Sequence, residues 1–94
     1  MSKKLVNETE EMKNGDKVVV LMDNEIIIGV FKECAHPYVM LYGKYGLFPR
    51  HLVYKYSRER MGDLGIDDDD FIRNVEEILD EKMCFTLFKQ VRNT

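Results

Sequence analysis

Four side chains of this 94-residue chain are of the kind that binds zinc: Cys34, His36, His51 and Cys84. Only Cys34 and His36 stand close together. Structural zinc sites bring their ligands in two tightly spaced pairs, so this spacing argues against a metal centre. The acids Asp63 and Asp67 to Asp70 invite a calcium reading. A calcium loop needs glycine at its sixth position and glutamate at its twelfth. Counted from Asp63 those positions are Asp68 and Asn74, and from Asp67 they are Ile72 and Ile78. These acids suit the start of a helix better, where they complement the positive end of the dipole. Neither Ser2 nor Ser57 has a base at a suggestive spacing, and Gly43-Lys44-Tyr45-Gly46 reads as a turn, not as a phosphate loop. The expectation is a chain that is not an enzyme and holds no cofactor and no metal.

What remains is the chemistry of binding. Tyr42, Lys44, Tyr45, Phe48, Arg50, His51 and Lys55 fall in one short stretch. Tyrosine offers a broad apolar face with a polar tip and arginine a planar charge, and both are enriched where binding energy concentrates. These seven are the candidate site. The competing reading buries Phe48 and Tyr42 in the core and leaves the lysines to solubilise. A second candidate is the acidic face at Glu76, Glu77, Asp80 and Glu81.

Charge is segregated around that stretch. The net charge is −3, yet residues 44–60 hold Lys44, Arg50, Lys55, Arg58 and Arg60 against Glu59 alone. Residues 61–94 carry nine acids against four bases. The two blocks can neutralise one another or be solvated separately, or the basic one can meet an anionic partner. Two distant cysteines are too few for a secreted, disulfide-stapled domain. MSKKLVNETEE lacks the apolar run of a signal peptide. Val18–Met22 is the longest apolar run, far short of a membrane span. The reading is one soluble cytoplasmic domain with free thiols and no membrane contact.

The elements that must position the site are mostly strands. After a polar lead-in over 1–13, Asn14-Gly15-Asp16 is a turn, and Lys17–Met22 and Glu25–Lys32 form a hairpin around Asp23-Asn24. Gly29, inside the second strand, marks a bend or a close backbone crossing. Neither strand alternates apolar with polar residues, so the outer face of the hairpin needs a cover, from the C-terminal segment or from another copy. Tyr38–Tyr42, Leu47-Phe48 and Leu52–Tyr56 are further strands, with Pro37 and Pro49 as breaks. Residues 57–66 read as a linker with two glycines. Phe71, Ile72, Val75, Ile78 and Leu79 make an amphipathic stripe that predicts a helix over 67–82. Residues 84–91 read as a final strand, with continued helix as the alternative.

Two parts of the 14–56 stretch resemble Src-homology-3 domains. Gly15-Asp16-Lys17-Val18 is similar to that family's glycine–aspartate turn, and Gly46-Leu47-Phe48-Pro49 followed by Arg50-His51-Leu52-Val53 resembles its closing short strand, 3₁₀ turn and last strand. The resemblance covers about half of the chain and implies a small five- to six-stranded β-barrel, here with a C-terminal amphipathic helix. It is a mainly β chain with one helix, of α+β class. The family binds proline-rich peptides in an aromatic groove. This chain has no tryptophan, and His51-Leu52 replaces the family's Asn-Tyr pair. Pro49 with Tyr38, Tyr42 or Tyr45 are the remaining groove candidates. A second resemblance, to Sm-like barrels, rests on Val18–Glu25, Gly29-Val30-Phe31 and Tyr38–Leu41, and implies an RNA-binding ring.

Together these readings imply a non-enzymatic binding module, a small regulator or inhibitor acting on a protein partner. An Sm-like oligomer that binds nucleic acid, or an oligomer binding a small ligand between subunits, is the alternative. The apolar run Val18–Met22 facing Ile26–Ile28 is the motive for expecting a homo-oligomer.

Overall fold

The computed structural model describes residues 11–88. The first ten residues of the expected lead-in, and the part of the expected last strand beyond residue 88, lie outside them. Six strands and two helices follow in chain order. Strand β1 (Lys17–Leu21) pairs antiparallel with β2 (Glu25–Ala35), from Lys17 opposite Val30 to Leu21 opposite Ile26. The turn at Asp23-Asn24 joins them, and the Met22 N–H donates to the Glu25 carbonyl at 3.0 Å. Strand β3 (Tyr38–Leu41) and β4 (Lys44–Pro49) form a second hairpin. A 3₁₀ turn over Arg50–Leu52 then feeds β5 (Val53–Lys55), which returns beside β1. Helices α1 (Arg58–Asp63) and α2 (Asp69–Asp80) precede β6 (Phe85–Phe88).

All pairings are antiparallel, and the strand order is β4-β3-β2-β1-β5, with β6 added to β2. β2 is the spine. Its first half lies between β1 and β6, and after an irregularity between Phe31 and Glu33 its second half pairs with β3. At the start of β1 the Gly15 and Phe31 backbones are tied, with Gly15 N–H donating to the Phe31 carbonyl and Phe31 N–H to the Asp16 carbonyl. Gly15 has a φ of 98°, a left-handed conformation that glycine adopts without a Cβ penalty.

The sheet is buried on both faces, which explains the unbroken apolar runs. Val18, Val20, Ile27, Phe31, Val39, Leu41, Phe48 and Val53 form one core. On the other face, Val19, Ile26, Ile28 and Val30 pack with Met61 of α1 and Ile72, Val75 and Leu79 of α2. The chain's own C-terminal segment therefore covers the outer face of the first hairpin. The apolar run that motivated self-association is satisfied within one chain.

Several elements differ from the sequence expectation. β2 runs past Lys32 to Ala35, and β4 begins at Lys44, inside the Gly43–Gly46 stretch read as a turn. The stretch read as a linker contains α1. Ser57 Oγ accepts the Arg60 N–H at 3.0 Å, and Met61 is wholly buried. Gly62 costs helix propensity, but capping and burial of Met61 outweigh it. The helix expected over 67–82 runs over Asp69–Asp80, because Asp68 caps it by accepting the Phe71 N–H at 3.1 Å. Lys82, at φ 57°, turns the chain towards β6.

Candidate binding surface on the third and fourth strands

The β3–β4 hairpin is built around an inward pair, Val39 opposite Phe48, both buried. Side chains alternate across a strand, so Tyr38, Met40, Leu47 and Pro49 turn the other way. Tyr38 is 42% exposed, Leu47 53% and Tyr45 99%. The register shifts between Val39 and Leu41, so that Leu41 faces Lys44 and residues 45–47 bulge opposite Met40. Gly46 makes the bulge possible, with a φ of 113°. Among the described strands, β4 stands at one end of the sheet. Tyr45 and Leu47 thus stand two residues apart on a sheet edge.

Tyr42 is the hub at the turn of this hairpin. Its N–H donates to the Val30 carbonyl at 3.0 Å. Its hydroxyl donates to Asn14 Oδ1 at 3.0 Å, and Asn14 Nδ2 donates to the Lys32 carbonyl at 2.9 Å. The Lys82 and Lys32 ammonium groups lie 4.9 and 5.9 Å from its ring centroid, within cation–π range. From below, the Cys84 thiol donates to the Tyr42 carbonyl at 3.1 Å. Burial pushes the Cys84 thiol up from its ordinary value, and the Lys44 charge offsets part of that. A cleft of about 340 Å³ opens beside the turn, lined by Lys32, Met40, Leu41, Lys44 and Tyr45 with the glycines 43 and 46.

The seven sequence candidates do not form one cluster. Tyr42, Lys44 and Tyr45 share the turn. Phe48 is core, 6% exposed. Arg50 sits at the far end of the hairpin, since Tyr38 faces Pro49 and the Arg50 N–H donates to the Pro37 carbonyl at 2.8 Å. Its guanidinium donates to the Val53 carbonyl at 3.1 Å, tying the 3₁₀ turn to the start of β5. His51 is exposed beside it. Lys55 ends β5 opposite Val18, across β1 from the hairpin. Close in sequence, the seven are spread across the sheet by the strand register. Lys32, Met40, Leu47 and Lys82 join the turn without having been singled out. Tyr45 and Leu47 at alternate positions were a readable signal; nothing local places Lys82 there.

The acidic face of α2 is partly committed elsewhere. Glu76 accepts from the Tyr56 hydroxyl at 2.7 Å and from Arg58 at 2.9 and 3.1 Å, and Arg58 also pairs with Asp69 at 2.8 Å. Hydrogen bonds from Arg58, then from Tyr56, hold the Glu76 carboxyl down at about 2. Burial, with the neighbouring Glu76, pushes the Tyr56 phenol well above its usual range. Lys17 pairs with Asp80 at 3.0 Å. These contacts strap α2 to β1 and to the end of β5. Glu77 and Glu81 stay exposed.

Among the described residues no group of three or more His, Cys, Asp or Glu side chains is arranged to hold a metal ion, and no helix is long and apolar enough to cross a membrane. No family model, curated protein or solved structure matches the chain.

Proposed function

We propose that this chain is a non-enzymatic protein-binding module, a small regulator or inhibitor that acts through the outer face of its β3–β4 hairpin. The observation that carries the reading is Tyr45, 99% exposed on an end strand, with Leu47 and Tyr38 bare on the same hairpin. A single exposed apolar residue is ordinary; three on one hairpin that has Lys44 at its turn have the composition of a contact surface. The scaffold in this reading is a Src-homology-3-like barrel. The long β2, which pairs with β1 in one half and with β3 after an irregularity at Phe31–Glu33, the 3₁₀ turn after Pro49 and the return of β5 beside β1 support it. Partner recognition by a polyproline groove is not part of the proposal, because no tryptophan is present and Phe48 is core.

The test is comparative affinity capture with the full chain and with Tyr45→Ala/Leu47→Ser. A partner retained by the wild type and lost from the variant, with unchanged thermal melting, supports the reading. Retention by both places the contact elsewhere. RNA that binds the wild type with a steep loss as salt is raised would favour the nucleic-acid alternative.

A further inference from the structure

The Tyr42 turn gathers three lysines from distant parts of the chain: Lys32 from β2, Lys44 from β4 and Lys82 from the loop after α2. Two of them reach over the Tyr42 ring, and Lys44 is near enough to Cys84 for its charge to act on the thiol. No described carboxylate forms an ion pair with any of the three; the described pairs engage Lys17, Arg58 and Arg73. Like charges held together repel, and the chain as a whole is acidic. Beside them the cleft is lined by Lys32 and Lys44 together with Met40 and Tyr45.

Building on the protein-binding reading above, we infer that this cleft takes a short acidic segment of a partner protein. Carboxylates of the segment meet Lys32 and Lys44, with Lys82 at the Tyr42 ring beside them, and an apolar side chain rests on Met40 and Tyr45. Charge selects the class of ligand. The net charge of −3 opposes a long polyanion such as a nucleic acid, whereas a short acidic segment needs only the local lysines. Recognition is by side chains, not by strand addition. The Gly46 bulge breaks the regular edge of β4, and bulges of this kind blunt an edge against a new strand.

The experiment is an amide-resonance titration of the full chain with three probes. These are a synthetic decapeptide of alternating glutamate and tyrosine, the same peptide with glutamine for glutamate, and a twelve-residue oligothymidylate. The expected result is saturable shifts centred on Lys32, Gly43, Lys44 and Gly46 with the glutamate peptide. Binding should be at least about tenfold weaker with the glutamine peptide and with Lys32→Glu/Lys44→Glu. Because Lys44 is half-buried, Lys32→Gln/Lys44→Gln serves as the milder variant, and it too must weaken binding at unchanged melting temperature. Shifts elsewhere, equal binding of both peptides, or tighter binding of the oligonucleotide each overturn the inference. The two readings fail separately. If Tyr45→Ala/Leu47→Ser loses a captured partner while the lysine variants keep it, the hairpin is a protein-binding face but the acidic ligand is wrong.

Discussion

The Cys84 thiol donates to the carbonyl oxygen of Tyr42 across 3.1 Å, binding the loop after α2 to the turn of the β3–β4 hairpin. The same sulfur closes the space above Gly29. A Cβ at position 29 would lie 2.9 Å from Sγ of Cys84 and 3.2 Å from Cδ1 of Leu41. Gly29 is thus the point where three strands and the returning loop meet without room for a side chain.

Gly29→Ala must push Cys84 or Leu41 aside. Overpacking of this kind costs about 1–3 kcal/mol, read as a lower denaturant midpoint. Cys84→Ala removes the sulfur, so the double variant should be more stable than the two single costs added together, the non-additivity expected of residues in contact. Strict additivity would show that Cys84 is not what Gly29→Ala strikes.

The two thiols should alkylate at different rates. Cys34 is exposed on β2, whereas Cys84 is half-buried and its thiol is pushed up by burial. The thiolate is the reacting species. Iodoacetamide on the native chain at mildly alkaline pH should modify Cys34 first, and Cys34→Ser should abolish the fast phase. A fast phase that survives Cys34→Ser would mean that the loop at Cys84 opens readily.

The Tyr56–Glu76–Arg58 contact predicts a pH dependence. The Glu76 carboxyl titrates near 2 in the folded chain against an ordinary 4.5. Its contribution to stability is therefore complete above about pH 5 and is lost as pH falls through 4.5 towards 2. The wild type should melt higher than Glu76→Gln near neutrality, and the difference should shrink progressively below pH 4.5. Arg58 is about half exposed, so salt should also narrow the gap. A difference independent of pH would assign the loss to packing of the side chain instead of to its charge.

How much of this was readable in the sequence depends on the range of the interactions. The first hairpin followed from Asp23-Asn24 between two β-branched runs, and α2 from its apolar stripe and leading acids; both signals are local. The need for a close approach at Gly29 was also visible, but not that Cys84, 55 positions on, would fill it. α1 was hidden because Gly62 and Gly65 resemble linker residues, whereas its stability comes from burying Met61 under a sheet formed by distant residues. β2 runs on to Ala35, past the expected end at Lys32, because pairing with β3 sustains it. At the site, residue types picked out Tyr42, Lys44 and Tyr45. The Gly46 bulge sets the β3–β4 register, and with it the separation of Arg50 and His51 from the turn. A bulge changes the pairing without changing composition, so composition could not place those residues.

Phe48 and Tyr45, both candidates by residue type, separate most clearly by stability. Phe48 faces Val39 inside the sheet, at 6% exposure. Phe48→Ala leaves a cavity between β4 and the core, and phenylalanine truncations in such places cost about 3–5 kcal/mol. For a chain of this size that is a large part of the total stability, so Phe48→Ala should be partly unfolded at 37 °C by circular dichroism. Tyr45 makes no comparable contact at 99% exposure, and Tyr45→Ala should stay within about 0.5 kcal/mol of the wild type. The same variant should lose partner binding on the reading given above. The measurement is a pair of urea titrations alongside one binding isotherm. A Tyr45→Ala chain that is destabilised by more than about 1 kcal/mol would place the ring in the fold, and the hairpin face would then lose its principal claim to be a contact surface.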